Sequence, residues 1–473
     1  MGESVWVPSG LDDSAPDDPT QPKKRKLKVR ISLFFDGTSN SRKNTEARLA
    51  ATNQPQDVPS AADRDRDRDK AIAAYQKYGE GEENSYANDH SNVSRLEMYV
   101  DHALQAAAGY DYYFCHYIEG IGTVDLEDDH VLVGQAFGAG ATGMKAKVQR
   151  GLDKAVAAID KTLEGAAELE LVVDTFGFSR GAAAARYCIY RALHDEKKTF
   201  SSLFSLKSSI ESATPHTISD TRVHAVGLWD TVASYGFDHT DNTPALKLDS
   251  VREAKAILQL AAAEEYRVNF ALTNIASVDG GKGQQVYLPG AHSDVGGSYP
   301  DMMHPRNTAE YAECKSIAGG SSSGAIAAFM LERGWYKANQ LRHRVKSEWL
   351  GKNLIKKQSV DVERQRISRQ YSFVPLHIMA DFSEKQELPV KPELKTKYDP
   401  SLVPSALKQR IESYAQQKLT SLASDWDKND PELADLRNRF LHVSSSTSIG
   451  MGMRTMNAGP GGKERPVREV FDG

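Results

Sequence analysis

The stretch LVVDTFGFSRGAAAAR, residues 171–186, decides the fold class of this chain. Its first half is dense in Val, Leu and Phe, which indicates a buried strand, and its second half is rich in Ala, which indicates a helix. The pattern G-x-S-x-G, with Ser179 at its centre, lies at the junction. A serine in such a tight turn adopts strained dihedral angles, and Gly177 and Gly181 leave the room that a Cβ would block. The stretch therefore predicts a nucleophile elbow rather than an accidental G-x-S-x-G in a glycine-rich turn.

Strands and helices alternate on both sides of this turn. Such alternation predicts an α/β fold, with a central, mostly parallel sheet of the α/β-hydrolase type and helices on both faces. The predicted strands are 28–35, 110–117, 168–176, 223–229 and 284–288, and the predicted helices between them are 92–104, 145–163, 180–193 and 251–263.

The chain divides by composition into three regions. Residues 1–27 are rich in Pro, Asp and Lys and are interpreted as a mobile tail. Residues 28–315 form the predicted catalytic core, with a large polar insertion at about 41–90 that carries one charged helix. Residues 316–473 form a mostly helical C-terminal region, which is a candidate lid or a surface that faces a membrane or a partner.

Two stretches of the C-terminal region each place a Trp among aliphatic residues beside Lys or Arg. They are FMLERGWY, which contains Trp335, and EWLGKNLI, which contains Trp349. An apolar patch near the mouth of a site is typical of a docking surface. The alternative, that both Trp side chains belong to the core of a helical subdomain, stays open.

Composition excludes several classes of protein. The chain has 473 residues, a net charge of −5 and 40% hydrophobic residues, which argues against a nucleic-acid-binding protein that relies on positive charge and against a disordered chain. No apolar stretch approaches the ~18 residues of a membrane span, and the N-terminus lacks the pattern of a signal peptide. The three cysteines are too few and too far apart to predict a disulfide framework. We therefore expect synthesis in the cytoplasm without a signal peptide.

A serine nucleophile needs a base and an orienting acid, which follow it in the order Ser, Asp or Glu, His in this topology. Asp230 comes directly after the predicted strand 223–229, and His292 lies in the glycine-flanked loop after the next strand. We therefore predict Ser179, Asp230 and His292 as the catalytic triad. His377 and His442 also follow apolar residues and are the competing candidates for the base.

The oxyanion donors are predicted to be backbone N–H groups. The N–H of Arg180 opens the helix after the nucleophile, and an early loop usually supplies the second donor. That loop is FFDGTSN, in which Gly37 or Thr38 is the candidate and Asp36 fixes the turn. An Asx turn with no catalytic role is an equally good interpretation of this loop.

Two other features suggest different functions. GAGATG at 138–143 matches G-x-G-x-x-G, which would indicate a dinucleotide-binding oxidoreductase, but the preceding HVLVGQAF is a poor strand and the acids that follow lie on a helix. Asp294 could be a metal ligand, but no cluster of ligands accompanies it, so an orienting role for the His292 loop is favoured. A non-enzymatic interaction protein with this fold is the third alternative. We expect no cofactor, and a calcium requirement stays open.

Six ordered blocks together resemble a known group of proteins. The blocks are FFDGTSN at 34–40, SNVSRL at 91–96, YIEGIGT at 117–123, GFSRGAAAAR at 177–186, LWDTVAS at 228–234 and GAHSDVGGSY at 290–299. In this order they resemble the GxSxG phospholipase effectors of bacterial type VI secretion systems, whose catalytic domain is α/β-hydrolase-like.

The resemblance implies roles for individual residues. Ser179 matches the nucleophile of the family, Asp230 its acid and His292 its base. EEYRVNF at 264–270 resembles the helix that the family has between acid and histidine.

The resemblance also implies a biological role. It implies a phospholipase A that the type VI apparatus delivers into the periplasm of a target cell, where it attacks membrane phospholipids. The implied partners are a spike or tube component for delivery and a cognate immunity protein, and no nucleic acid is among them.

Overall fold

A computed structural model gives the architecture of the protein. It describes residues 25–55, 68–79, 84–101, 109–129, 142–197, 202–233, 243–279, 281–301, 313–320, 322–350, 353–364, 367–417, 422–427, 430–448, 451–457 and 464–473.

The secondary-structure elements are numbered in chain order. The strands are β1 (Arg25–Phe35), β2 (Tyr112–Ile118), β3 (Ala167–Phe178), β4 (Glu196–Lys197), β5 (Ser202–Leu203), β6 (Thr217–Trp229), β7 (Ala256–Ala262), β8 (Leu272–Thr273), β9 (Gly283–Leu288), β10 (Glu313–Gly319), β11 (Leu341–Leu350), β12 (Asn353–Arg364), β13 (Thr455–Asn457), β14 (Glu464–Pro466) and β15 (Val470–Phe471). The α-helices are α1 (Arg42–Ala51), α2 (Arg68–Tyr78), α3 (Asn92–Met98), α4 (Met144–Thr162), α5 (Arg180–Leu193), α6 (Leu206–Ala213), α7 (Thr243–Leu246), α8 (His292–Gly296), α9 (Ser323–Glu332), α10 (Phe373–Lys385), α11 (Glu393–Lys397), α12 (Ser405–Gln416) and α13 (Pro431–Arg439). Short 3-10 helices lie at Leu248–Glu253, Ala338–Gln340, Arg369–Ser372 and Ala423–Trp426.

The central sheet has six strands in the order β2-β1-β3-β6-β7-β9, and every neighbouring pair is parallel. A parallel sheet is covered by helices on each side, so the residues that point to either face of a strand must be apolar. In β1, Leu33 and Phe35 join the core with α4 and α5, whereas Phe34 joins the core with α3 and α10. The α/β-hydrolase-like fold class predicted from the sequence is confirmed.

The strand order fixes where a site can form. From β1 the chain first adds β2 on one side and then β3 on the other, so the order reverses between β1 and β3. Parallel α/β sheets bind ligands outside the carboxyl ends of their strands at such a switch point. Asp36 follows β1 and Ser179 follows β3, so both lie at this point.

The segment predicted as a helix over 251–263 is instead strand β7, preceded by a 3-10 turn. Its sequence AILQLAA contains residues that favour helices, but the segment lies between β6 and β9 and pairs with both. A strand buried on both faces is a continuous apolar run without alternation, and such a run cannot be told from a buried helix by pattern alone.

The predicted regions and the observed elements coincide only in part. Of the predicted tail, residues 1–27, only the last three are described, and they begin β1. The proposed insertion at 41–90 contains α1 and α2, and it buries Ala47, Tyr86 and His90. The apolar and aromatic residues of this segment are too far apart in the sequence to show a helix or strand period, so their burial had no signal in the sequence.

The C-terminal region contains five helices among its described residues, and it also contains an antiparallel sheet in the order β10-β12-β11. The predicted boundary at 315/316 falls within β10, so this sheet continues from the catalytic core.

Trp335 does not lie on the surface of the protein. The Trp335 side chain is completely buried in the hydrophobic core that also contains Met330 and Tyr336. The docking interpretation is therefore wrong for Trp335, because a fully enclosed indole presents no surface to a membrane. The side chain of Trp349 lies outside the described residues.

We expect Gly181→Ala to destabilise the protein. A Cβ at Gly181 would lie 2.3 Å from the carbonyl oxygen of Asp36 and 2.4 Å from that of Phe35, and neither backbone can move without displacing β1. Overpacking of this kind costs about 1–3 kcal/mol, so the melting temperature falls. The matched control is Gly324→Ala in α9, where nothing lies within 4 Å and alanine favours the helix. Equal melting temperatures for the two variants would contradict this account.

Candidate active site

Ser179 lies in the turn between β3 and α5. Its φ of 59° and ψ of −128° are strained for a residue with a side chain, as a nucleophile elbow requires. A Cβ at Gly177 would lie 2.3 Å from the carbonyl oxygen of Gly181, so glycine is needed where the strand meets the helix. The Ser179 N–H donates to the Trp229 carbonyl at 3.0 Å, and the Ser179 carbonyl accepts from Val232 at 3.3 Å. The turn is thereby fixed against the end of β6.

Asp230 follows β6 directly and has a φ of 48°. This conformation turns its carboxylate back over the sheet, where Oδ1 accepts the Ala262 N–H at 2.8 Å. The side chain is fully buried. A buried carboxylate needs hydrogen bonds to replace its lost hydration, and this one takes the first from the end of β7.

His292 is the first residue of α8 and is 4% exposed. Its Nδ1 lies 2.5 Å from Asp230 Oδ2. Since Asp230 carries the negative charge, we assign the proton to Nδ1, which leaves Nε2 as the basic nitrogen. The imidazole also contacts the rings of Phe178, with centroids 4.6 Å apart, and Phe270, with centroids 5.1 Å apart.

The structure joins Asp230 and His292 by a hydrogen bond but not His292 and Ser179. Among the described residues, no hydrogen bond connects the Ser179 hydroxyl to the imidazole. Ser179 is nevertheless bonded through its backbone to the segment that carries Asp230, and its neighbour Phe178 packs on His292. Hydrogen bonds between nucleophile and base are often long or poorly aligned before substrate binds.

The pKa values of the pair follow from burial and from nearby charges. Burial alone would raise the pKa of Asp230, but Arg468 and His292 lower it below its ordinary value. Burial lowers the pKa of His292, and the hydrogen bond to Asp230 raises it only in part. An ionised Asp230 and a neutral His292 are the protonation states that a general base and its orienting acid need.

Sequence reasoning missed a second buried carboxylate beside the imidazole. Glu265 accepts the His292 N–H at 3.2 Å, two bonds from the Arg267 guanidinium at 2.9 Å each, and one bond from the Ser444 hydroxyl, whose oxygen lies 2.8 Å from both carboxylate oxygens. Burial alone would raise the pKa of Glu265, and Arg267 lowers it well below its ordinary value. Glu265 therefore fixes the backbone at His292.

The segment EEYRVNF at 264–270 is a loop with a turn, so the helix that the resemblance implied is wrong. The ion pair between Glu265 and Arg267, two residues apart, holds this loop against α8. Residues two apart do not face each other on a helix, so this ion pair requires a conformation other than a helix.

Arg468 is another residue that sequence reasoning missed. Its guanidinium donates to both oxygens of Asp230, at 2.6 and 2.9 Å, from the last residues of the chain. Arg468 lies 238 residues after Asp230, and no local pattern marks it.

The competing histidines have other hydrogen-bond partners than Asp230. His442 Nδ1 bonds Asp294 Oδ1 at 2.7 Å, and the His442 ring stacks on Tyr299. His377 Nε2 bonds the Tyr398 carbonyl at 2.8 Å, and burial lowers the pKa of His377 to about 4. Neither histidine bonds Asp230 among the described contacts.

Asp294 holds the loop that carries His292. Its Oδ2 accepts the N–H of Ala291 at 2.9 Å, at the start of α8, and the N–H of His442 at 2.9 Å. In the described part of the chain no group of three or more His, Cys, Asp or Glu side chains could hold a metal ion. These contacts agree with an orienting role for Asp294.

The two predicted donors on the early loop differ in availability. The Gly37 N–H donates to Asp36 Oδ1 at 2.7 Å, whereas no hydrogen bond of the Thr38 N–H is found among the described residues. Asp36 also accepts the Tyr117 hydroxyl at 2.6 Å, so it fixes the turn as expected. Thr38 is therefore the better candidate, and the other predicted donor, the N–H of Arg180, begins α5.

Most of the GAGATG motif, Gly138–Ala141, and the segment before it lie outside the described residues. The motif ends at Gly143, the N-cap of α4. Within the residues that the structure describes, no helix is both long and apolar enough for a transmembrane span.

The parallel sheet, the strained serine turn and the Asp–His pair define the class as α/β-hydrolase-like. Residues 187–314 match the family model described as the catalytic domain of Tle1-like phospholipase effectors of the type VI secretion system. The predicted resemblance to type VI phospholipase effectors is thereby confirmed. The matched residues include Asp230 and His292, whereas Ser179 lies just before them. No curated protein matches the sequence.

Two solved structures are similar to this chain. The Tle1 effector bound to the VgrG spike superimposes with a TM-score of 0.55 at 20% identity, over 95% of this chain and 94% of that one. An uncharacterised protein from Pseudomonas aeruginosa gives a TM-score of 0.39 at 16% identity, over 84% of this chain and 52% of that one. The first similarity shows a shared fold along almost the whole chain.

We expect His292 to titrate with a pKa below its ordinary value of about 6.5. Burial favours the neutral imidazole and so does the nearby Arg267, whereas Asp230 and Glu265 favour the imidazolium. NMR of the ring protons measures this pKa, with the spectrum of His292→Ala as the assignment control. A pKa at or above the ordinary value would contradict the net effect of burial.

Proposed function

We propose that the protein is a serine ester hydrolase of the phospholipase A type, with Ser179 as nucleophile, His292 as base and Asp230 as acid. The observation that carries the proposal is the 2.5 Å hydrogen bond between His292 and Asp230 beside the strained turn at Ser179. The match to the Tle1-like catalytic domain supports a membrane phospholipid as the substrate.

In the proposed reaction the Ser179 Oγ attacks the carbonyl carbon of a fatty acyl ester. His292 Nε2 takes the hydroxyl proton as the Oγ–C bond forms, and Asp230 stabilises the imidazolium through Nδ1–H. The tetrahedral intermediate collapses, the bond to the lipid alcohol breaks, and His292 returns the proton to that oxygen. The lysophospholipid leaves with that proton. Water then attacks the acyl-enzyme with His292 again as base, the bond from Oγ to the acyl carbon breaks, and the fatty acid is released as Ser179 regains its proton.

Backbone donors would stabilise the oxyanion. The Arg180 N–H is at the positive end of the α5 dipole, and a buried donor directed at the developing charge needs no reorganisation during the reaction. The Thr38 N–H is the proposed second donor. Both follow strands that are neighbours at the switch point of the sheet.

We extend the proposal to the biological role. The protein acts as an antibacterial effector that the type VI apparatus carries into the periplasm of a target cell, and a cognate immunity protein protects the producer. The Tle1 effector has been solved bound to the VgrG spike, and its similarity over 95% of this chain supports a spike component as the delivery partner.

Ser179→Ala should lower the release of fatty acid from phospholipid vesicles by roughly 10³-fold or more, because the triad acts as a unit. The matched control is Ser212→Ala at the exposed end of α6, which should hydrolyse the vesicles as the wild type does. Thermal unfolding checks that both variants are folded. Activity of Ser179→Ala within tenfold of wild type would refute the assignment.

The base is tested by comparing three histidine variants. His292→Ala should lose nearly as much activity as Ser179→Ala, whereas His377→Ala and His442→Ala should keep most of the activity per folded molecule, because their rings bond Tyr398 and Asp294. Fatty acid release from the same vesicles is the measurement. If His442→Ala were the inactive variant, the base would be His442 and Asp294 its acid.

A further inference from the structure

The last ten residues of the chain, 464–473, form a C-terminal strap across the carboxyl edge of the sheet. β14 pairs with β13 at one end of the strap, and β15 pairs in parallel with β8 at the other. Between these strands lies Arg468, whose side chain is 5% exposed. A long charged side chain is almost never buried unless it is paired, so the position of Arg468 calls for an account of its contacts.

Every nitrogen of the Arg468 guanidinium has a partner. Nη1 donates to Asp230 Oδ1 at 2.6 Å and to the Ala262 carbonyl at 2.9 Å, and Nη2 donates to Asp230 Oδ2 at 2.9 Å. Nε donates to the Phe270 carbonyl at 3.0 Å. The two parallel bonds to the carboxylate are the geometry for which arginine, unlike lysine, is suited.

The carboxylate of Asp230 consequently receives four hydrogen bonds. Oδ1 accepts from Ala262 and Arg468, and Oδ2 accepts from His292 and Arg468. Without Arg468, each oxygen would keep a single donor, and the buried carboxylate would have lost its closest countercharge. Its rotation toward or away from His292 Nδ1 would then be less restrained.

Four charged side chains lie closest to the imidazole and to its partner Asp230, and they balance only when Arg468 is included; the Asp294 carboxylate, on the same helix as His292, bonds His442 instead. Asp230 and Glu265 are negative, Arg267 and Arg468 are positive, and all four side chains are buried. With His292 neutral the group has no net charge. Removal of Arg468 would leave one negative charge in excess, which favours a proton on His292 or on Asp230.

We infer that Arg468 is a positioning residue for the proposed reaction, which the C-terminal strap brings to the active site to hold the Asp230 carboxylate against His292. This inference rests on the proposed function of Asp230 and His292. It assigns to the end of the chain a role in assembling the triad, although the strap does not touch the Ser179 hydroxyl among the described contacts.

The test compares Arg468→Gln and Arg468→Lys with wild type. The control is Arg454→Gln. Arg454 forms a partly exposed ion pair with Glu469, which is a residue of the strap, and neither side chain belongs to the proposed triad. Two quantities are measured: the pKa of His292 by NMR without substrate, and the pH profile of kcat/KM for a soluble short-chain ester. Thermal unfolding and fluorophosphonate labelling report the folded, reactive fraction.

In Arg468→Gln we expect kcat/KM to fall by between about tenfold and a hundredfold, as for a misplaced catalytic group. The acidic limb of the pH profile of kcat/KM should move to higher pH, because His292 cannot act as a base when either His292 or Asp230 carries the extra proton. The pKa of His292 should rise, since a positive charge has been removed. Arg468→Lys keeps the charge but not the bidentate bond, so it should restore the pKa and only part of the rate.

Several outcomes would overturn the inference. The inference is wrong if Arg468→Gln changes neither the pKa of His292 nor the acidic limb of the pH profile. It is also wrong if Arg454→Gln lowers kcat/KM as much as Arg468→Gln does. If Arg468→Gln does not fold, a wild-type rate in Arg468→Lys overturns it. If wild type hydrolyses ester no faster than Ser179→Ala, the proposed function is refuted and with it the catalytic role of Arg468, whatever the NMR result.

Discussion

The arrangement of the candidate active site depends on one buried charge, the carboxylate of Asp230. It is completely buried, and transfer of a carboxylate from water into a protein costs several kcal/mol unless partners replace its hydration. The partners come from the end of β7, from the start of α8 and from the C-terminal strap. Three separate parts of the chain must therefore fold to the same place before the charge is stable there.

The parallel sheet makes this convergence feasible. Because the carboxyl ends of parallel strands meet at one edge, the residues after β3, β6, β7 and β9 lie near one another without long loops. The close approach of Gly181 to the Asp36 carbonyl then locks the end of β1 against the start of α5. Strain at Ser179 is maintained by packing on both sides of the turn.

The parts of the site with a local signal were predictable from the sequence. Ser179 has glycines at fixed positions between an apolar run and an alanine-rich run, and Asp230 directly follows an apolar strand. These signals depend only on neighbours in the chain, so a single sequence contains them. The contact between Asp230 and His292 then follows from the order nucleophile, acid, histidine that this topology uses.

Other parts could not be predicted, because their cause lies far away in the sequence. β7 is a strand since β6 and β9 pair with it, and its own residues favour a helix equally well. Trp335 belongs to a core that also contains residues far from it in the chain, such as Val362 and Leu436. Arg468 has no motif, because only the fold brings the end of the chain to Asp230.

The charge balance of the site has a consequence for the proposed reaction. In the resting state the two carboxylates and two guanidiniums cancel, and burial favours a neutral His292 that is ready to accept a proton. When Ser179 attacks, a positive charge forms on the imidazole and a negative charge forms on the substrate oxygen. The pair arises together, so the net charge of the buried group is conserved. In a region of low dielectric two opposite charges attract each other more strongly than in water, and this attraction offsets part of the cost of forming them without hydration.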